Sequence, residues 1–157
     1  MASTHASTQI QTAAVVTLVV YVKLLATQIT QGFKKGQAGG KGPEDGGTGF
    51  SSMGPATGRE TMSNDDVAKL AASRRWDRIL GNDLENIPVA LIILWSCALV
   101  NAESTAFMVL ACLFCVSRCL HTLMYMFGKQ PFRSLTFAMG VVGTLGMAIL
   151  TVATVFK

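Results

Sequence analysis

An all-α integral membrane protein, built as a four-helix bundle, is the fold class the sequence predicts, on three observations. Half of the 157 residues are hydrophobic and only 14% are charged, whereas charged residues usually supply about a quarter of a soluble domain. Four stretches each hold about 20 mostly apolar residues, enough for a helix to cross ~30 Å of hydrocarbon. These stretches lack the sustained alternation of a half-buried strand. The composition excludes a disordered chain and argues against a water-soluble globule. Fifteen glycines without a three-residue period exclude collagen. Cys97, Cys112, Cys115 and Cys119 all lie in apolar segments, so no secreted disulfide framework follows.

The elements follow in chain order within one predicted domain covering residues 1–157. The first span covers about residues 13–31 and holds one charge, Lys23. No basic residue precedes it, which disfavours a signal peptide. A long connection, 32–81, comes next, with nine glycines between Gly36 and Gly58. Its last part opens on Ser63-Asn64-Asp65-Asp66, an N-cap followed by acidic first-turn residues. This predicts a helix from Asn64 that runs into the second span, 82–100. Asn101-Ala102-Glu103 turns tightly into the third span, 104–127, making the two helices antiparallel neighbours. Gly128 to Phe132 leads into the fourth, 133–156, whose 23 residues between Arg133 and Lys157 carry no formal charge.

The charges orient these spans. Lys34, Lys35, Lys41, Arg59, Lys69, Arg74, Arg75 and Arg78 lie in the first connection and Lys129 in the third, while the second has none. By the positive-inside rule the first and third connections are cytosolic, and both termini face the lumen or exterior.

Some charges violate the hydropathy. An Arg in mid-helix costs ~2.5–3.5 kcal/mol on insertion scales and needs a partner or water. Arg118, His121 and Tyr125 share one face of the third span at i, i+3, i+7, and Arg78, Asn82 and Glu85 repeat that clustering where the second begins. Lys23, Arg133 and Ser134 fall at similar depth. A Glu85–Arg118 ion pair is one reading of the layer, but a single pair needs two residues and leaves the others unexplained. The alternative is a polar pocket in the cytosolic half of the bilayer. Arginines there suit carboxylates, which they bind bidentately, and a glutamate suits an ammonium group. The implied ligand is small, zwitterionic or anionic, with an apolar co-substrate arriving laterally from lipid.

The segment Arg75-Trp-Asp-Arg78-Ile-Leu-Gly-Asn82-Asp83-Leu84-Glu85-Asn86-Ile87-Pro88 resembles the MAPEG family, membrane-associated proteins of eicosanoid and glutathione metabolism. More narrowly it resembles the branch of microsomal glutathione transferase and microsomal prostaglandin E synthase. Pro43-Glu44-Asp45, Arg118-x-x-His121-Thr122-x-x-Tyr125 and Arg133-Ser134 match that branch in order. The resemblance implies a homotrimer in the endoplasmic reticulum membrane that binds glutathione, or a related thiol, between subunits. It implies glutathione binding by Arg75, Arg78, Asn82, Glu85, His121 and Tyr125, with Arg118 organising the pocket beside Glu85. Arg133 would stabilise the thiolate, Ser134 would donate to the sulfur, and Asp45 matches a loop acid/base. Pro88 stands one residue early, the Tyr125–Arg133 loop is one residue short, and Phe137 follows the transferase whereas Ser134 follows the synthase. Gly46 replaces the transferase's redox-sensing cysteine.

Three functions are consistent with this pattern. The leading one is a glutathione-dependent transferase or peroxidase acting on lipophilic electrophiles or lipid hydroperoxides. The others are a prostaglandin E synthase-type isomerase and a non-catalytic lipid-binding adaptor. A channel would need polar groups through the full membrane depth. Cys112, Cys115 and Cys119 point about 120° away from the Arg118 face and read as small hydrophobes, so no metal site is expected. Nucleic-acid binding lacks both a module and a soluble domain.

Overall fold

The computed structural model describes the backbone of residues 2–39 and 63–157, with side chains from Thr8 onward. Those residues form four helices, α1 (Ala2–Gln37), α2 (Asn64–Leu99), α3 (Ser104–Met126) and α4 (Gln130–Val155), with no strand among them. All four are long and apolar enough to cross a membrane. They are unequal. At 1.5 Å per residue, the 36-residue α1 and α2 reach about 54 Å, far beyond the hydrocarbon, while α3 and α4 reach about 35 and 39 Å.

α2 ends at Leu99 and α3 covers Ser104–Met126. The expected helix from Asn64 does run into the second span, and Ser63 caps it: its hydroxyl accepts from the Asp65 amide at 3.4 Å, and Lys69 pairs with Asp65 at 2.6 Å one turn on. α1 continues past residue 31 to Gln37 because Gln28 to Gln37 contains no residue that forbids helix except two tolerated glycines. α4 begins three residues before Arg133. Pro131 occupies its first turn, where the missing N–H is an orphan in any case.

Short turns set the order of α2 to α4. Asn101 takes a left-handed φ of 54°, a conformation that Asn tolerates better than most residues. Glu103 then caps α3, its carboxylate accepting from the amides of Thr105 (2.9 Å) and Ala106 (2.5 Å). Gly128, at φ 66°, ends α3 so that the Lys129 amide reaches the Met124 carbonyl at 3.1 Å, as in a helix C-terminal cap.

The described chain divides into two compact units, Met1–Leu24 with Asn82–Lys157, and Leu25–Gly81. In the first, buried residues follow steps of four and three on every helix: Gln9, Ala13, Val16, Val20 on α1; Asp83, Ile87, Ala90, Leu94, Cys97 on α2; Phe107, Ala111, Phe114, Arg118, His121 on α3; Thr136, Gly140, Gly143, Met147 on α4. This is the spacing of knobs-into-holes packing in a bundle. Gly140 and Gly143 let α4 approach the backbone of α3, for a Cβ at Gly143 would lie 3.1 Å from the Leu110 carbonyl oxygen. At the α2–α3 turn, the buried Gln9 amide donates to the Ala102 carbonyl and to Ser104 at 3.3 Å. Trp95 donates to Thr17 at 3.1 Å. Polar contacts therefore occur at both ends of the bundle, where the sequence suggested one end only.

The second unit holds the C-terminal part of α1 and the N-terminal part of α2. Gln31 donates to the Asp77 carboxylate at 2.6 Å, and Thr27, Ser73 and Ile79 are its buried positions.

Candidate functional site

The four-three seam that builds the core also places the charges. Arg118 and His121 occupy α3 positions equivalent to Phe107 and Phe114, so the helix that buries its phenylalanines buries these groups too. Arg118 is 1% exposed. Burial of an arginine at that depth demands acceptors, and α2 supplies them. Its Nη2 donates to Asn82 Oδ1 at 2.6 Å and to Asp83 Oδ1 at 3.0 Å, with the Asn82 carbonyl at 3.5 Å. The second carboxylate oxygen of Asp83, which is fully buried, accepts from Lys23 of α1. Three helices are thus joined by one carboxylate.

The ion-pair reading of the layer names the wrong carboxylate. Arg118 pairs with Asp83, not with Glu85, and the reason is helical phase. Asp83 lies on the buried seam of α2, whereas Glu85, two residues and about 200° further round, is exposed. Glu85 instead lines a cavity of about 290 Å³ together with Asn86 and Arg118. The rest of the lining, including Val89, Ile93, Phe114, Val141 and Leu145, is apolar. The Nε of Arg118 is buried without a hydrogen-bond partner.

One turn along α3, His121 marks a second cluster. Its Nδ1 lies 3.2 Å from the Arg133 carbonyl of α4. A carbonyl only accepts, so this contact assigns the proton to Nδ1. The Thr136 hydroxyl, 3.4 Å away, is itself directed at the carbonyls of Phe132 and Arg133. In the neutral ring Nε2 is then an acceptor, and it is buried without a partner. Tyr125 stands edge-on to His121 with centroids 5.7 Å apart. The Arg133 guanidinium sits 4.6 Å above the Tyr125 ring, a cation–π arrangement that fixes its place without consuming its donors. One nitrogen, Nη2, also reaches Gln130 at 3.2 Å.

The structure thus brings Glu85 and Arg118 to one cavity, with Asn82 hydrogen-bonded to Arg118, and His121, Tyr125 and Arg133 into a second cluster. Ser134 is exposed in the second turn of α4. Arg75 and Arg78 are exposed on the stretch of α2 that belongs to the other unit. Asp45 lies outside the described residues. Sequence reasoning missed the role of Asp83 and of its partner Lys23. A signal was present, because both fall in phase with the buried seams of their helices.

Chemically, the site offers cations held on one side and open on the other, a carboxylate at the cavity wall and an imidazole acceptor. A model of the MAPEG family matches residues 10–153 of the chain. Neither a curated protein nor a solved structure matches it at significance.

Proposed function

The chain belongs to the MAPEG family, and from that premise we propose that it is a glutathione-dependent transferase or peroxidase acting on lipophilic electrophiles and lipid hydroperoxides. The observation that carries this reading is Arg133, which is stacked on Tyr125 beside His121 and keeps guanidinium donors for an anion. A free thiol ionises near pH 8.5, so only a few per cent is thiolate at neutral pH. A fixed guanidinium favours the anion and raises that fraction.

In this reading glutathione brings its carboxylates to Arg78, Arg118 and Asn82, and its ammonium group to Glu85. Arg75, His121 and Tyr125 complete its contacts. Its sulfur lies by Arg133, with Ser134 as a hydrogen-bond donor. The thiol releases its proton, and the thiolate attacks the electrophilic carbon. A C–S bond forms as the leaving group departs with its electron pair. With a hydroperoxide, the thiolate displaces the alkoxide by taking the distal oxygen. A second glutathione then yields the disulfide and water, and the alkoxide is protonated to the alcohol. The co-substrate enters from lipid across the apolar lining. The long α1–α2 connection faces the cytosol, the membrane is that of the endoplasmic reticulum, and the chain assembles as a homotrimer.

One observation favours a second reading. Ser134 follows Arg133, the order of the prostaglandin synthase branch, which suits an endoperoxide isomerase. Retention of Arg133 and Glu85 together argues against a non-catalytic adaptor. The deciding experiment is glutathione binding, thiolate absorbance and conjugation to a nitroaryl halide by purified protein in nanodiscs. We expect all three, with thiolate and conjugation lost in Arg133→Ala. Absence of glutathione binding, or unchanged thiolate in that variant, refutes the reading.

A further inference from the structure

Two carboxylates two residues apart on α2 compete for one guanidinium. Asp83 wins it, because it lies on the buried seam, fully enclosed, with Arg118 on one oxygen and Lys23 on the other. Two consequences follow. Glu85 makes no ion pair among the described residues although it lines the same cavity as Arg118. And Arg118 is fastened through a single nitrogen: Nη2 meets all three α2 oxygens, while Nε, equally buried, meets none. A buried N–H without an acceptor is costly.

We propose that Asp83, held by Lys23, is a positioning residue that holds the Arg118 guanidinium at the wall of the cavity and keeps Glu85 free of it, so that one pocket presents a cation and an anion side by side. Such a pair suits a zwitterion, and the inference rests on the proposed reading for the identity of that zwitterion as glutathione. Lys23 therefore acts on the pocket through Asp83.

The test uses the full chain in nanodiscs. Asp83→Asn alone strands two buried cations, and loss of fold is expected. The double variant Lys23→Met/Asp83→Asn removes one charge of each sign and keeps the balance. Asp83→Glu keeps the charge itself. Two readouts are taken. One is the guanidinium nitrogen–proton spectrum of Arg118, assigned by its disappearance in Arg118→Lys. The other is the affinity for glutathione.

In the parent and in Asp83→Glu, a guanidinium in hindered rotation is expected, with affinities within about threefold of each other. In the double variant the hindered signal collapses and affinity falls about tenfold or more, one power of ten in Kd, while the melting temperature stays near the parent's. A double variant with the parent's spectrum and affinity overturns the proposal, and so does an Asp83→Glu protein that folds but has lost the hindered signal. A parent with a held guanidinium that takes up no glutathione refutes the proposed function and leaves the anchoring by Asp83 standing.

Discussion

Gly143 and Gly146 of α4 offer a test in which raw distance and energy point in opposite directions. A methyl group added at Gly143 would lie 3.1 Å from both the Leu110 carbonyl oxygen and the Phe114 amide nitrogen, and 3.2 Å from the Phe114 Cβ. Comfortable contacts of these kinds are about 3.3–4.0 Å, so α3 and α4 must separate by a few tenths of an ångström along their closest approach. Overpacking of this kind costs about 1–3 kcal/mol. The Gly→Ala exchange in a helix interior returns about 0.5–1 kcal/mol, leaving Gly143→Ala destabilised by up to about 2.5 kcal/mol. At Gly146 the same methyl would lie only 2.6 Å from Leu110 Cδ2. That atom is the end of a flexible side chain, which swings away at little cost, and the helix gain then dominates. Gly146→Ala should be neutral or stabilised by up to about 0.5 kcal/mol. Reversible denaturation in mixed micelles measures both. Gly146→Ala proving the more destabilised would refute the claim that backbone contact governs this interface. Because α4 carries Arg133, separation in Gly143→Val should also lengthen the 3.2 Å contact of His121 with the Arg133 carbonyl and weaken glutathione binding.

Other expectations concern single groups. Tyr125→Phe keeps the ring beneath Arg133 and should preserve thiolate formation within about threefold, whereas Tyr125→Ala loses a contact of about 0.5–2 kcal/mol and should reduce it; ultraviolet titration of bound thiol distinguishes them. The Ala106 and Thr105 amides donating to Glu103 hold its carboxyl below the ordinary 4.5. Its contribution to stability is therefore complete above about that pH and is lost as pH falls through the lowered folded value. Glu103→Gln should abolish this part of the acid dependence, read as a melting-temperature difference from the parent that shrinks on acidification. Asn101→Ala should cost about 1–2 kcal/mol, since its φ of 54° is strained for a residue with a Cβ, while Asn101→Gly should be close to neutral in the same denaturation assay.

The helices and their order were legible because apolar length and tight polar turns leave few alternatives. Their true ends were not, because α1 and α2 continue beyond the hydrophobic segments, where helix is set by caps and propensity rather than by hydropathy. Arg118, His121 and Arg133 announced themselves by lying where charge is expensive. The partner of Arg118 was not legible for a different reason. Asp83 and Glu85 belong to one dense polar block, and charge alone cannot rank them; only the phase of the buried seam, Asp83-x3-Ile87-x2-Ala90-x3-Leu94, separates the inward carboxylate from the outward one. Lys23 was seen as a polar exception near a span end, and the same phase places it on the seam of α1.

The carboxylate that joins three helices also constrains how the protein is made. Lys23, Asp83 and Arg118 leave the ribosome in that order, and each enters the membrane on a different helix. A charge within a span opposes insertion, by up to about 2.5–3.5 kcal/mol at the helix centre, so α1 settles in lipid more favourably once α2 brings Asp83 to Lys23. α2 and α3, separated by only four residues, can move into lipid as one hairpin with Asp83 and Arg118 already matched. Assembly of the site and integration of the chain are on this account a single biosynthetic event, and a lesion at Asp83 would be met first by the quality-control machinery of the membrane rather than by a substrate.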